Sequence, residues 1–140
     1  MIAVLRHASP RKQQNFVSGK MVPNFVAKML KIAAWLVILG LVIVTIVPAT
    51  ERPVTGLQHD LEHFLAFGFA GLLVALAYPH RLLPMVSAAI LYTLALEIIQ
   101  IPLATRHARL EDFAVDALGA CAAIFLVYVA RVSLRKRQLV

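Results

Sequence analysis

Nineteen consecutive residues, Ile32 to Thr50, carry no charge, and that run limits what the chain can fold into more than any other feature. A helix crossing the hydrocarbon core of a bilayer needs about 20 predominantly apolar residues. Trp35 lies near the start of the run, where interfacial aromatics often sit, and Pro48 marks its end. Three more apolar runs follow, Phe64 to Pro79, Leu82 to Leu96 and Ala117 to Ala130. They are 14 to 16 residues long, too short for about 30 Å of hydrocarbon at about 1.5 Å per residue. Each reaches spanning length only by accepting ionisable residues at one end. Asp60, Glu62 and His63 extend the second helix, Glu97 lies inside the third, and Asp116 extends the fourth together with Phe113. Between the second and third, Pro79 suits a helix stop and Pro84 a first helical turn.

Composition agrees. Hydrophobic residues make up 61% of the chain and charged residues 15%, against about 45–50% and about 25% in soluble domains. The reading is therefore all-α, an integral membrane bundle of four transmembrane helices. It divides the chain into a basic N-terminal tail (1–28), a membrane domain (29–131) and a basic C-terminal tail (132–140). The N-terminal tail lacks the apolar core and small-residue cleavage site of a secretory signal, and Met21 is a second candidate start. The single cysteine, Cys121, excludes an internal disulfide and reads as a small packing residue.

Fourteen Lys and Arg against seven Asp and Glu give a net charge of +7. Such a balance often marks nucleic-acid binding, but in so apolar a chain it marks membrane topology instead, and no nucleic-acid partner is expected. Four spans put both tails and Arg81 on one side, which gathers eleven basic residues there. The positive-inside rule then predicts N-in, C-in, with the basic tails against anionic lipid headgroups of the cytoplasmic (inner) membrane. All seven acids fall on the outer half, accompanied only by Arg52, Arg106 and Arg109, for a net charge there of −4.

That topology brings residues distant in sequence to one outward-facing level. The second helix starts outside with His59, Asp60 and His63. The third ends outside with Glu97 and Gln100. The fourth starts there with Asp112 and Asp116, and the connecting loop supplies Arg106, His107 and Arg109. His59 and His63 are i, i+4 and share a face, as do Asp112 and Asp116; Glu97 and Gln100 are i, i+3, with Thr93 one turn below. Gly119, Ala120 and Ala123 continue the Asp stripe, while Ala66, Ala70 and Gly71 lie below His63. Small residues let helix backbones approach closely, so the polar and the small-residue faces both point into the bundle.

The string His63-Phe64-Leu65-Ala66-Phe67, then Leu96-Glu97-Ile98-Ile99-Gln100, then Arg106 followed by Asp112, Asp116 and Gly119, resembles the VanZ-like family. Its members are small polytopic membrane proteins, and the family is named for a protein linked to teicoplanin resistance in bacteria. The resemblance covers residues 30–130. It implies a membrane fold and a cell-envelope process rather than a defined reaction. Two departures stand out. Members often carry Asp-Lys shortly before the His-Phe, where this chain has Gln58-His59-Asp60-Leu61-Glu62. They often have Asn where this chain has Asp116.

Each polar residue has a functional and a structural reading. His63 is either a general base, metal ligand or proton-sensing group, or a histidine bonded to a carboxylate at the start of its helix. Glu97 is a site acid or base, a ligand for a cationic group, or the partner of Arg106 in a salt bridge locking the third helix to the loop. Arg106 suits a phosphate or carboxylate, or pairs with Asp112 or Glu97. Asp112 fits a first-turn acid favoured by the helix dipole; Asp116 lies a turn deeper, and Gln100 is expected to bond across helices. The His59, His63 spacing is compatible with a divalent metal, but lacks the Glu of a His-Glu-x-x-His helix. No cofactor and no metal are expected. Ser-His-Asp, phosphate-loop and dinucleotide signatures are absent from the sequence.

Three functions remain open. In the first, a cluster of His63, Glu97, Gln100, Arg106, Asp112 and Asp116 binds the head of a lipid, a lipid-linked precursor or a glycopeptide. In the second, a small intramembrane hydrolase or transferase uses His63 and Glu97 as catalytic base and acid. In the third, the cluster only pins helices together.

Overall fold

In the computed structural model, residues 24–47, 58–79, 81–101 and 109–137 are described. They form four helices: α1 (Asn24–Ile46), α2 (His59–Ala77), α3 (Leu82–Gln100) and α4 (Leu110–Arg137). All four are long and apolar enough to cross a membrane. The shorter ones, 19 residues each, span about 28 Å at about 1.5 Å per residue, which matches the hydrocarbon core.

The helix ends follow local chemistry. Asp60 and Glu62 lie in the first turn of α2, and Glu111 and Asp112 in that of α4, where negative charge opposes the helix dipole. The α2 start is closed by the Gln58 carbonyl, which accepts the N–H groups of Leu61 and Glu62. Tyr78 precedes Pro79, and its backbone leaves the helical region at φ −124°, ψ 69°, as steric conflict with a following proline requires. Pro84 occupies the first turn of α3, where no N–H partner is needed.

Two boundaries differ from the charge-free runs. The first helix does not span Ile32 to Thr50: it begins at Asn24, inside the stretch assigned to the N-terminal tail, and ends at Ile46. Lys28 and Lys31 are accommodated because a lysine stem lies along apolar surface while its ammonium reaches the interface. At the other end of the chain, α4 continues past residue 131 to Arg137 and takes in Arg135, Lys136 and Arg137, which suit the negative end of a helix dipole. Met21 and Pro48 lie outside the described residues.

The principal packing unit is α2 against α4, which run parallel and make the most extensive helix contact; α1 packs on α2, α3 on α4, and α3 touches α1 and α2 only sparsely. His59 meets Asp112 and His63 meets Asp116, one register down the pair, and Arg131 donates to the carbonyls of Ala75 (2.8 Å) and Leu76 (3.3 Å) at its far end. Glycine makes the close approach possible. A Cβ on Gly71 would lie 2.5 Å from the Ala120 carbonyl oxygen, and one on Gly119 would lie 2.5 Å from that of Phe64. Below the polar end, Phe67, Leu96 and Ala120 form one buried cluster and Ala75, Met85, Ile124 and Val127 another. Leu36, Leu39, Leu91 and Leu126 point outward and exposed, as lipid-facing side chains do.

Candidate functional site

The start of α2, the end of α3 and the start of α4 meet at one end of the bundle. His63 lies four residues into α2 and Glu97 three residues from the end of α3, about one turn or 5–6 Å below the helix ends. Asp116 is deeper still, six residues into α4. Glu97 and Asp116 are buried, with 7% and 4% of their surfaces exposed. Carboxylates so placed in a spanning helix demand partners.

Asp116 has one. Its Oδ1 lies 2.9 Å from Nδ1 of His63, whose side chain is 18% exposed. Asp112 Oδ2 lies 3.7 Å from Nε2 of the more exposed His59. The two histidine rings are 4.4 Å apart, and His63 stacks over Phe67 at 6.3 Å. Because α2 and α4 are parallel, two i, i+4 pairs align rung for rung.

Glu97 is less well satisfied. Its Oε2 accepts the backbone N–H of Arg109 at 3.1 Å, which fastens the end of α3 to the start of α4. The Arg109 guanidinium turns away to Glu111 at 2.6 Å. A carboxylate has about four acceptor positions, and among the described residues only this one donor reaches Glu97. His63, Asp112 and Asp116 are near enough for their charges to act on it. Gln100, on the same helix three residues further on, is 6% exposed and has no hydrogen-bond partner among the described residues.

An apolar cavity of about 300 Å³ lies directly beneath. Phe67, Thr93 and Ala120 line it, and each is four residues further into the bundle than His63, Glu97 and Asp116 respectively. The site is thus a polar cap over an apolar hollow.

The expected residues sort clearly. His63, Glu97, Asp112 and Asp116 converge, and Gln100 is buried beside them in sequence. Asp112 pairs with His59, so it is more than a first-turn acid. Among the described residues Gln100 has no side-chain hydrogen bond across helices. Arg106 and His107, and with them the expected Arg106–Glu97 pairing, lie outside the described residues; among the described residues the Arg109 backbone N–H fastens Glu97. That N–H was missed, since a main-chain donor has no residue-type signature. The cavity-lining Trp35, Tyr78 and Tyr92 were also missed as site residues; Trp35 had been read only as an interfacial aromatic. Among the described residues no group of three or more His, Cys, Asp or Glu is placed to hold a metal ion.

A family model described as VanZ/LLP1 matches residues 2–131. The chain belongs to the VanZ/LLP1 family. No curated protein and no solved structure matches it. The VanZ/LLP1 match takes in α1, α2, α3 and α4 as far as residue 131, and begins well before the motif residues, within the basic N-terminal stretch. It bears out the family read from His63-Phe64, Glu97-Ile98-Ile99-Gln100 and the acids of α4. Together with the four spans, it makes the chain a multi-pass membrane protein.

Proposed function

We propose that this VanZ/LLP1 protein binds an amphiphile of the cell envelope, with the ligand's head group at the His63, Glu97, Gln100 and Asp116 cap. The single observation carrying this is Glu97: a buried carboxylate with one backbone donor among the described residues, close in sequence to a buried Gln100 amide with no described partner, above an apolar cavity. Partners that the described residues do not supply are what a ligand's ammonium or hydroxyl groups would provide. Of the ligands considered, a lipid or lipid-linked molecule fits better than a glycopeptide, because apolar space continues below the polar groups. Arg106, just before α4 in the sequence, is the residue suited to an accompanying phosphate. The basic residues of α1, the α2–α3 turn and the end of α4 lie at the opposite end of the bundle. The positive-inside rule therefore favours an inner-membrane protein with both termini cytoplasmic and the cap facing outward. A part in antibiotic resistance would follow if the bound molecule is a cell-wall precursor.

The experiment is native mass spectrometry of the full chain in mild detergent, with Glu97→Gln and Arg106→Ala alongside. Wild type retains a specific amphiphile, and folded Glu97→Gln retains about tenfold less, the loss of one charge-assisted hydrogen bond. Bare protein throughout, with variants merely less stable, would leave the cluster a structural device.

A second reading rests on one contact. Asp116 holds Nδ1 of His63, and no described residue engages Nε2, which would act as a general base, the arrangement of a base oriented by a carboxylate. Thr93 Oγ1 is engaged with the Ile90 carbonyl at 3.0 Å, so water or a substrate hydroxyl would be the nucleophile of such a hydrolase or transferase. Turnover of the retained amphiphile by wild type, abolished in His63→Gln, would favour this reading over binding alone.

A further inference from the structure

The cavity has a shape and chemistry of its own. Its lining on α2 descends one helix face from Phe67 through Gly71 and Val74 to Tyr78, eleven residues or about 16 Å of helix. A lining that follows the helix axis makes a slot rather than a rounded pocket. No charged residue lines it. Its polar atoms are already engaged: Tyr92 Oη donates to the Ile38 carbonyl at 2.6 Å, Tyr78 Oη accepts from Trp35 Nε1 at 3.1 Å, and Thr93 is bonded to its own helix. Water in such a space would lack the two to four polar partners it needs. Trp35 of α1 and Ala88 of α3 line the slot and are exposed, and these two helices barely touch. The mouth therefore opens sideways between α1 and α3, where a membrane protein meets lipid, and the roof is the polar cap.

We infer that the slot houses one hydrocarbon chain of a membrane amphiphile, which enters laterally between α1 and α3 beneath the polar cap. The inference rests on the head-group reading above and assigns the rest of the molecule. An elongated, dry, laterally open space continuous with a polar site fits a single acyl or isoprenyl chain. It fits neither a compact solute nor a helix from another protein, whose diameter is about 10 Å.

The test uses the full chain in nanodiscs of phosphatidylethanolamine and phosphatidylglycerol with a trace of phosphatidylethanolamine bearing a diazirine on one chain. Photolysis is followed by peptide mapping. Expected are adducts on Met85 and Tyr92, which line the slot, as well as on lipid-facing Leu91 and Leu126. In Ala88→Phe, which fills the exposed mouth, slot adducts fall to background while the lipid-facing ones persist. The wild-type map alone decides the matter if that variant does not fold: adducts on Leu91 without any on Met85 or Tyr92 overturn the inference. So do slot adducts undiminished in folded Ala88→Phe, or an empty slot accompanied by a dimer mass, which would mean a second copy covers the mouth. The two proposals fail separately. Slot adducts that survive Glu97→Gln keep the chain site and end the head-group reading. Amphiphile lost in Glu97→Gln with no slot adducts in wild type does the reverse.

Discussion

The two sides of this bundle are built on opposite principles. Along the α2–α4 seam, glycines let the backbones meet, and His59, His63 and Arg131 each have a partner on the facing helix. On the α1–α3 side, aromatic and alanine side chains stand around an open slot, and single hydrogen bonds brace helices that scarcely touch. In lipid the hydrophobic effect does not drive helices together, so association rests on close packing and on polar contacts. The seam uses both along its whole length. The flank has few of either, and the difference teaches where the molecule can yield: α2 and α4 form a fixed spine, while α1 and α3 can part without unmaking it.

Substitutions can break that contrast, and the largest effect is expected on the spine. Gly71→Leu places side-chain atoms where a Cβ alone is 2.5 Å from a backbone oxygen and 2.9 Å from the Cα of Ala120. No rotamer relieves a backbone clash, and a loss of about 3 kcal/mol is expected, read as a drop in the midpoint of denaturation in mixed micelles. His63→Ala comes next. It strands a buried carboxylate and costs about 2 kcal/mol, while His63→Ala combined with Asp116→Ala costs clearly less than the sum of the two single changes, as a double-mutant cycle would show. On the flank, Tyr92→Phe removes only the bond to Ile38 and costs about 1 kcal/mol; its signature is faster labelling of a cysteine introduced in the slot by Ala89→Cys rather than unfolding. The smallest effect belongs to Gly40→Ala. Nothing lies within 4 Å of a Cβ there, and stability should stay within about 0.5 kcal/mol of wild type. A loss at Gly40 as large as at Gly71 would erase the distinction between spine and flank.

Most of the spine was legible in the sequence. Short apolar runs forced Asp60, Glu62, His63, Glu97 and Asp116 into helices, and i, i+4 spacing put the histidines on one face and the acids on another. Small residues continuing those faces marked them as inward. What spacing leaves open is register between helices, so the pairing of His59 with Asp112 and of His63 with Asp116 needed coordinates. The first helix was misjudged because absence of charge is too strict a criterion: Lys28 and Lys31 can sit on a spanning helix with their ammonium groups at its edge. The Arg109 backbone N–H that reaches Glu97 has no residue-type signature, while the Arg106 expected beside Glu97 lies outside the described residues. The slot had no residue signature at all, since it is defined by the space between α1 and α3.

The parallel pairing of α2 with α4 also has a consequence for how the protein is made. Chains emerge N-terminus first, and the partner that holds His63 and fits against Gly71 lies on α4, which leaves the ribosome after α3. Until then α2 carries its histidines and its glycine groove uncovered, with α3 as a return stroke that barely touches it. Assembly of the spine must therefore follow insertion of all four helices. A polypeptide that stops after α3 would present an unsatisfied polar face to the bilayer, which is the kind of defect membrane proteases recognise.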